Sequence, residues 1–157
     1  RIPWHDHTRK SIGRPITEAS LSEKASIIGR TGIMLLSCGT GAWRVRSSMN
    51  TLARELGITC TADIGLLSIE YTCIDGGNCY TESLCLFNTG VNTSKLYRME
   101  EFVNKFAGNC KKMSGDELHT LLDRIHEIHG FYSPPFLGLA AAVACCAFTF
   151  FIGRRPC

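Results

Sequence analysis

Three histidines in the last third of the chain have a spacing that could hold a metal ion. On an ideal helix of 3.6 residues per turn, His119, His126 and His129 fall within about 80° of one another. The arc that they share lies beside the apolar stripe of the same predicted helix, where a histidine commonly just borders solvent. No matching set of cysteines or carboxylates accompanies them. The sequence therefore predicts neither a metal site nor a cofactor.

Arg44 and the glycines before it are the residues best suited to bind an anion. The planar guanidinium of Arg44 can bind a carboxylate bidentately, whether that carboxylate belongs to a substrate or to a neighbouring element. Gly39 and Gly41 flank the start of a predicted helix, where free backbone N–H groups attract anions, although a plain helix-hairpin turn explains the same pattern. Arg44 and Gly39 are therefore candidate substrate-binding residues, with a structural ion pair as the favoured alternative for Arg44.

The same region also contains residues that could form the nucleophile and general base of a hydrolase. Ser37 or Cys38 beside a histidine would make the protein a membrane-tethered hydrolase. The spacing does not favour that arrangement over chance, so we predict that the protein is not an enzyme. A regulatory or assembly domain, which gates neighbouring helices without touching substrate, is a third class.

Two helices are predicted to position these residues. The segment Ser20-Leu21-Ser22-Glu23 fits a capping box, and apolar residues at helical spacing follow it as far as Cys38-Gly39. A second helix is predicted from about residue 42 to residue 56, with Gly57 as its left-handed stop. The small-residue turn between them makes the pair an antiparallel hairpin.

The period then changes from helical to alternating. Three runs rich in β-branched and aromatic residues, at 59–61, 66–73 and 79–87, predict an antiparallel meander. Asp75-Gly76-Gly77-Asn78 supplies the positive φ that a tight hairpin turn needs. Two capped helices are predicted to follow, so the expected fold class is α+β with the order ααβββαα.

An uncharged run of eighteen residues, 136–153, follows that domain. As a helix it would rise about 27 Å, close to the roughly 30 Å hydrocarbon core of a bilayer, which predicts one transmembrane helix rather than a buried core helix. Gly138, Ala142 and Cys145 or Cys146 lie three or four residues apart, a spacing typical of transmembrane helix packing.

The domains expected from these patterns are a loose leader at 1–19, a folded domain at 20–133, and the transmembrane helix with a truncated end at 134–157. Because the first residue is Arg1 rather than methionine, and the chain stops four residues beyond the apolar run, we expect a fragment.

Charge and cysteine content narrow the function classes. A net charge of +3, from 17 basic and 14 acidic residues, is too small to favour nucleic acid as a partner. The chain has nine cysteines, an odd number that disulfides cannot pair completely. We therefore predict reduced, mostly buried thiols in a cytosolic domain. A disulfide between Cys73 and Cys79 stays open as an alternative.

Several of these stretches together resemble the threonine/serine exporter family. Residues 37–57, SCGTGAWRVRSSMNTLARELG, are similar to a segment near the start of those proteins, and the matching residues are Gly39, Trp43, Arg44, Val45 and Met49. The hairpin followed by Gly90-Val91-Asn92 resembles the strand pair and turn of the family. The apolar run after Pro134 looks most like the short, split form called YjjP.

The resemblance implies an exporter subunit in the inner membrane, with its N-terminal domain in the cytoplasm. Its implied cargo is threonine and serine, or dicarboxylates such as succinate. Its partner would be a YjjB-like membrane subunit or a missing C-terminal membrane bundle, and a homo-oligomer is possible. The resemblance adds Gly90 and Asn92 to the possible substrate-binding or gating residues. Gly41 and Thr89 replace a glutamate and an arginine that are common in the family.

Overall fold

A long central helix and a three-stranded sheet organise the folded part of the chain. The computed structural model describes residues 2–8, 13–87, 89–128 and 134–153. Short 3₁₀ helices lie at Trp4–Thr8, which we call the leader helix, and at Ile16–Glu18 and Cys110–Lys112. The longer elements are α1 (Leu21–Ser37), α2 (Ala42–Glu55), β1 (Thr59–Ile64), β2 (Ser68–Asp75), β3 (Asn78–Cys85), α3 (Thr93–Phe106), α4 (Gly115–His126) and α5 (Pro134–Gly153).

Helix α1 is the centre of the domain. Every residue from 23 to 36 is buried, because α1 packs against α2, the sheet, α4 and the leader helix. The predicted capping box forms at its start, where the backbone N–H of Ser20 donates to the carboxylate of Glu23 at 3.1 Å. Close packing needs small residues on α1. A Cβ atom at Gly29 would lie only 2.2 Å from Oη of Tyr71 on β2.

The sheet is an antiparallel meander in the order β1-β2-β3. Ile69, Tyr71 and Cys73 alternate with more exposed residues along β2, and they face the helices. Gly76 and Gly77 have φ values of 55° and 96°, so the predicted hairpin turn between β2 and β3 is confirmed. Positive φ angles favour glycine, because the Cβ of any other residue would crowd its own backbone in that conformation.

Helices α3 and α4 close the other side of α1. Asn92 caps α3 by accepting a hydrogen bond from the backbone N–H of Lys95 at 3.0 Å. The second predicted capping box is also confirmed, since Ser114 and Glu117 exchange hydrogen bonds at the start of α4. The buried face of α4 carries three aliphatic residues and one histidine, Leu118, His119, Leu122 and Ile125.

The predicted fold class requires a correction. Among the residues that the structure describes, none of the helices combines the length and the apolarity that crossing a membrane demands, so the transmembrane helix predicted at 134–157 is wrong. The uncharged run does form a helix, α5, over residues 134–153. The order ααβββαα followed by a span also omits the three 3₁₀ helices.

The stretch predicted as a loose leader contains packed residues. The side chain of Ile16 is fully buried in the core, and Thr8 is 2% exposed. The backbone N–H of Ile16 donates to the carbonyl oxygen of Met113 at 2.9 Å, and Pro15 forms a β-bridge with Ser114. These contacts anchor the start of the chain beside the start of α4.

Candidate functional site

Three of the four predicted substrate-binding residues lie at one end of the domain. Gly39, with φ of 79°, ends α1, and the backbone N–H of Gly90 donates to the carbonyl oxygen of Ser37 at 3.1 Å. The side-chain amide of Asn92 donates to the carbonyl oxygen of Ile128 at 3.1 Å, just beyond α4. The structure therefore brings Gly39, Gly90 and Asn92 into one corner.

Arg44, the fourth, lies on the first turn of α2 and is engaged by the protein itself. It donates to Oε1 of Glu100 on α3 at 2.7 Å, and its guanidinium lies 5.4 Å from the ring centre of Trp43. This is the structural ion pair that the sequence left open as an alternative. A role for Arg44 in substrate binding stays a prediction.

The small residues predicted to pack α5 are on its exposed surface. Ala142, Cys145 and Cys146 are exposed, and a Cβ at Gly138 would meet no described atom within 4 Å. Packing of a second helix on this stripe stays a prediction.

A charged cluster that the sequence did not reveal joins the leader helix to α1 and α4. The ring of His5 lies between two carboxylates of α4, with Nδ1 2.7 Å from Asp116 and Nε2 2.8 Å from Asp123. Both ring nitrogens can donate only when the imidazole is protonated. The hydrogen bond to Asp123, then that to Asp116, raises the pKa of His5 above its usual value.

Arg30 is the buried cation of this cluster. It is only 4% exposed and donates both to the carboxylate of Asp123 and to the carbonyl oxygen of His119, the latter at 3.0 Å. Burial opposes the ionisation of Asp123, but hydrogen bonds from His5 and Arg30 outweigh it and hold the pKa of that carboxyl below its usual value. Asp123 therefore links all three elements.

His119 is the buried neutral member. Burial, followed by the charge of Arg30, lowers its pKa to about 3. Arg30 lies 3.2 Å from Nδ1, which must accept because a guanidinium only donates. The other nitrogen, Nε2, then donates to the hydroxyl of Ser26 at 3.0 Å, and Ser26 donates onward to the carbonyl oxygen of Glu23. Trp4 stacks on the imidazole at 6.1 Å between ring centres.

A cavity of about 510 Å³ opens beside this cluster, and we call it the leader cavity. The leader helix forms one wall, α1 and α4 form two more, and the end of β3 forms the rim. Its charged lining has both signs, from His5, Asp6, Arg30 and Asp123, while Met34 and several other apolar residues provide most of its surface. An apolar pocket with a few convergent polar groups is the usual form of a small-molecule site.

Of the three histidines considered as metal ligands, the structure describes two, His119 and His126. His119 is buried against Arg30, His126 lines the leader cavity, and His129 lies outside the described residues. In the part of the chain that the structure describes, no group of three or more histidines, cysteines and carboxylates is placed to bind a metal ion.

Every described cysteine is a free thiol. Cys73 lies opposite Tyr80 and Cys79 lies opposite Ile74, so the disulfide left open between Cys73 and Cys79 is not formed. Burial raises the pKa of the Cys38 thiol, which disfavours the thiolate that a nucleophile needs.

Sequence reasoning missed the leader cavity because its polar groups are far apart in the chain. His5 is separated from Asp123 by 118 positions, and Arg30 lies within an apolar helical pattern. The only available signal was the pairing of histidines in the first eight residues with aspartates spaced seven apart on α4, at Asp116 and Asp123.

Comparison with known proteins gives one match. Residues 26–156 match the family model described as "Putative threonine/serine exporter", which covers the chain from α1 to beyond the end of α5. A search of curated proteins found no match, and neither did a search of solved structures.

Proposed function

Because the chain belongs to the threonine/serine exporter family, we propose that it is part of a membrane transport protein that exports small polar metabolites, with threonine and serine as its cargo. The family match over residues 26–156 carries this proposal. The family is a family of transporters. The alternative of a tethered hydrolase gains no support from Cys38, because burial raises the pKa of its thiol and so disfavours the reactive thiolate.

We propose that the folded domain receives its cargo in the leader cavity. A zwitterionic amino acid offers one positive and one negative group, and the cavity presents charges of both signs within mainly apolar walls. A dicarboxylate suits it less well. The carboxylates of Asp6 and Asp123 in its lining would repel a dianion.

We also propose a cellular location for the domain and a partner protein. We place the domain on the cytoplasmic side of the inner membrane, because its described cysteines are free thiols and reducing compartments preserve such thiols. The resemblance of the apolar run after Pro134 to the split exporters supports a YjjB-like membrane subunit as the partner.

Efflux measurements test the function. Cells that express the whole protein that carries this sequence, together with a YjjB-like subunit, should lower their internal threonine and serine and raise the external pool, while cells that express residues 1–157 alone should not. Export of succinate without threonine or serine would overturn the cargo assignment. Failure to export any of the three would overturn the exporter assignment.

Binding measurements test the cavity separately. Calorimetry with threonine should give heat of binding that is lost in Met34→Trp, which fills the cavity from α1, and retained in Ile74→Ser on the far end of β2. Equal binding by both variants would place the cargo elsewhere.

A further inference from the structure

Large apolar side chains project from one end of the domain. Leu66 is 88% exposed, Phe87 100%, Val91 83% and Trp43 69%. Each sits on a loop or a first helical turn rather than on a flat face. Single exposed apolar residues are ordinary on protein surfaces, but several large ones at the tips of neighbouring loops indicate an interaction site.

Contacts show that these loops are neighbours. The N–H of Leu86, next to Phe87, donates to the carbonyl oxygen of Leu67 at 2.7 Å. A Cβ at Gly39 would lie 3.4 Å from the side chain of Val91, and one shallow cavity of about 430 Å³ is lined by residues that include Leu66 and Gly39. We call this surface the loop end, made of residues 39–46, 64–67, 86–87 and 89–95.

Three basic residues belong to the loop end. Arg44 and Arg46 lie on the first turns of α2, and Lys95 lies on the first turn of α3. Two acidic residues lie on neighbouring elements: Glu100, the ion-pair partner of Arg44, and Asp63, near the end of β1. Arg46 donates to the carbonyl oxygen of Ala62 at 3.0 Å and keeps its full charge in doing so.

We propose that the loop end docks onto the headgroup region of an anionic phospholipid bilayer. The proposal rests on the membrane function proposed above, but its chemistry stands on these side chains. Apolar residues on separate loop tips can each enter the interfacial layer, and an indole with a neighbouring guanidinium suits the boundary between headgroups and acyl chains. Basic residues close to that layer are attracted by anionic lipid.

The shape of the surface favours lipid over a protein partner. A protein interface needs a continuous complementary patch with a packed centre, whereas the exposed fractions of Leu66, Phe87 and Val91 show that each stands clear of its neighbours. A fluid interface accommodates separate tips without a matching surface. Docking in this way would also hold the leader cavity near the membrane, because Phe87 belongs to its rim.

The two tryptophans of the chain provide the test. In Trp4→Phe, Trp43 is the only tryptophan, and in Trp43→Phe only Trp4 remains, packed against His119 and Arg30. Arg30 is seven residues before the end of α1, about 10 Å of helix. The full-length chain of each variant is mixed with phosphatidylglycerol vesicles that contain brominated acyl chains, and tryptophan emission is recorded.

Trp43 should be quenched at least about twofold more strongly than Trp4, and less in phosphatidylcholine vesicles or at high salt, which screens surface charge. Phe87→Ser combined with Leu66→Ser should reduce the quenching of Trp43, while Ile74→Ser, beside the hairpin turn at the other end of β2, should not. Equal quenching of the two tryptophans would overturn the proposal. So would an unquenched Trp43, including one that becomes shielded only when a protein partner is added. No transport is required for the measurement, so its failure and that of the export function are separate results.

Discussion

The Nε2 atom of His5 lies 2.8 Å from the carboxylate of Asp123, a hydrogen bond between residues 118 positions apart. It fastens the leader helix to α4 and thereby completes one wall of the leader cavity. Because the second ring nitrogen faces Asp116 at 2.7 Å, the two hydrogen bonds together require a protonated imidazole.

Attachment of the leader helix should weaken as pH rises. The pKa of His5 is raised in the folded protein above its ordinary value of 6.5. A raised pKa adds stability that is fully present below the unfolded value and is lost as pH passes through the folded value. The protection of the amides of residues 2–8 against hydrogen exchange, measured relative to the intrinsic rate at each pH, should therefore fall from neutral to alkaline pH. His5→Gln should remove the pH dependence and His7→Gln should keep it, and an unchanged profile in His5→Gln would contradict the mechanism.

Acid should destabilise the domain through His119. Its pKa falls from 6.5 to about 3 on folding, so the unfolded chain binds a proton that the folded chain refuses between those values. The linked loss of unfolding free energy on acidification to pH 3 is on the order of 4 kcal/mol. Denaturant titrations at several pH values should show this slope, and it should flatten in His119→Gln. A slope that persists in the variant would assign the effect to other groups.

Two buried hydroxyls should be replaceable at no cost. Within the described residues, the Oγ1 atoms of Thr31 and Thr40 have no hydrogen-bond partner, and an unsatisfied buried polar group costs about 1 to 3 kcal/mol. Thr31→Val and Thr40→Val should therefore leave the free energy of unfolding unchanged or raise it. Ser26→Ala is the matched contrast and should destabilise, because Ser26 bonds both His119 and Glu23. Destabilisation by both valines would show that these hydroxyls are satisfied.

Gly29→Ala should strain the packing of α1 on the sheet. The added Cβ would lie 2.2 Å from Oη of Tyr71 and 2.5 Å from its ring carbon Cζ, and such overpacking costs about 1 to 3 kcal/mol. Thermal unfolding should show a lower Tm, partly restored by Tyr71→Phe in the same chain. Gly138→Ala, where no described atom lies within 4 Å, is the control.

Arg44 should matter little for folding. In its ion pair with Glu100, the side chain of Arg44 is 47% exposed and that of Glu100 is 38% exposed. Surface ion pairs of this kind contribute about 0 to 1 kcal/mol to the free energy of unfolding. Arg44→Ala and Glu100→Ala should therefore have equal, small effects on the free energy of unfolding. Efflux separates the two roles. If Arg44→Ala abolishes export while Glu100→Ala does not, Arg44 has a function beyond the ion pair.

Local patterns predicted much of the fold. Capping boxes at Ser20 and Ser114 and the glycines of the β2–β3 turn act within a few residues, so they are visible in the sequence and appear in the structure. The predictions that failed concerned the surroundings of whole helices. An uncharged stretch was mistaken for a membrane span, and α1 was expected to have one apolar face although it is buried all round, including Arg30.

The site was hidden because its contacts are not local. The leader helix is five residues long, which is too short to show a hydrophobic period. His5 and Arg30 are both far in sequence from Asp123, the carboxylate that they share. Gly39 was proposed from its local turn pattern, and Gly90 and Asn92 from the family resemblance, and a role for them in binding stays a prediction. A charged cluster built from three distant elements has no such local pattern.

The central position of α1 has a consequence for how the protein is made. Arg30 emerges from a ribosome 93 residues before its partner Asp123, an interval of about 5 to 20 s at ordinary rates of synthesis. During that time a helix that will be enclosed on every side has neither α4 to cover it nor a carboxylate for its arginine. The domain can therefore close only after α4 has been synthesised, and nascent chains that end before Asp123 should remain bound to chaperones.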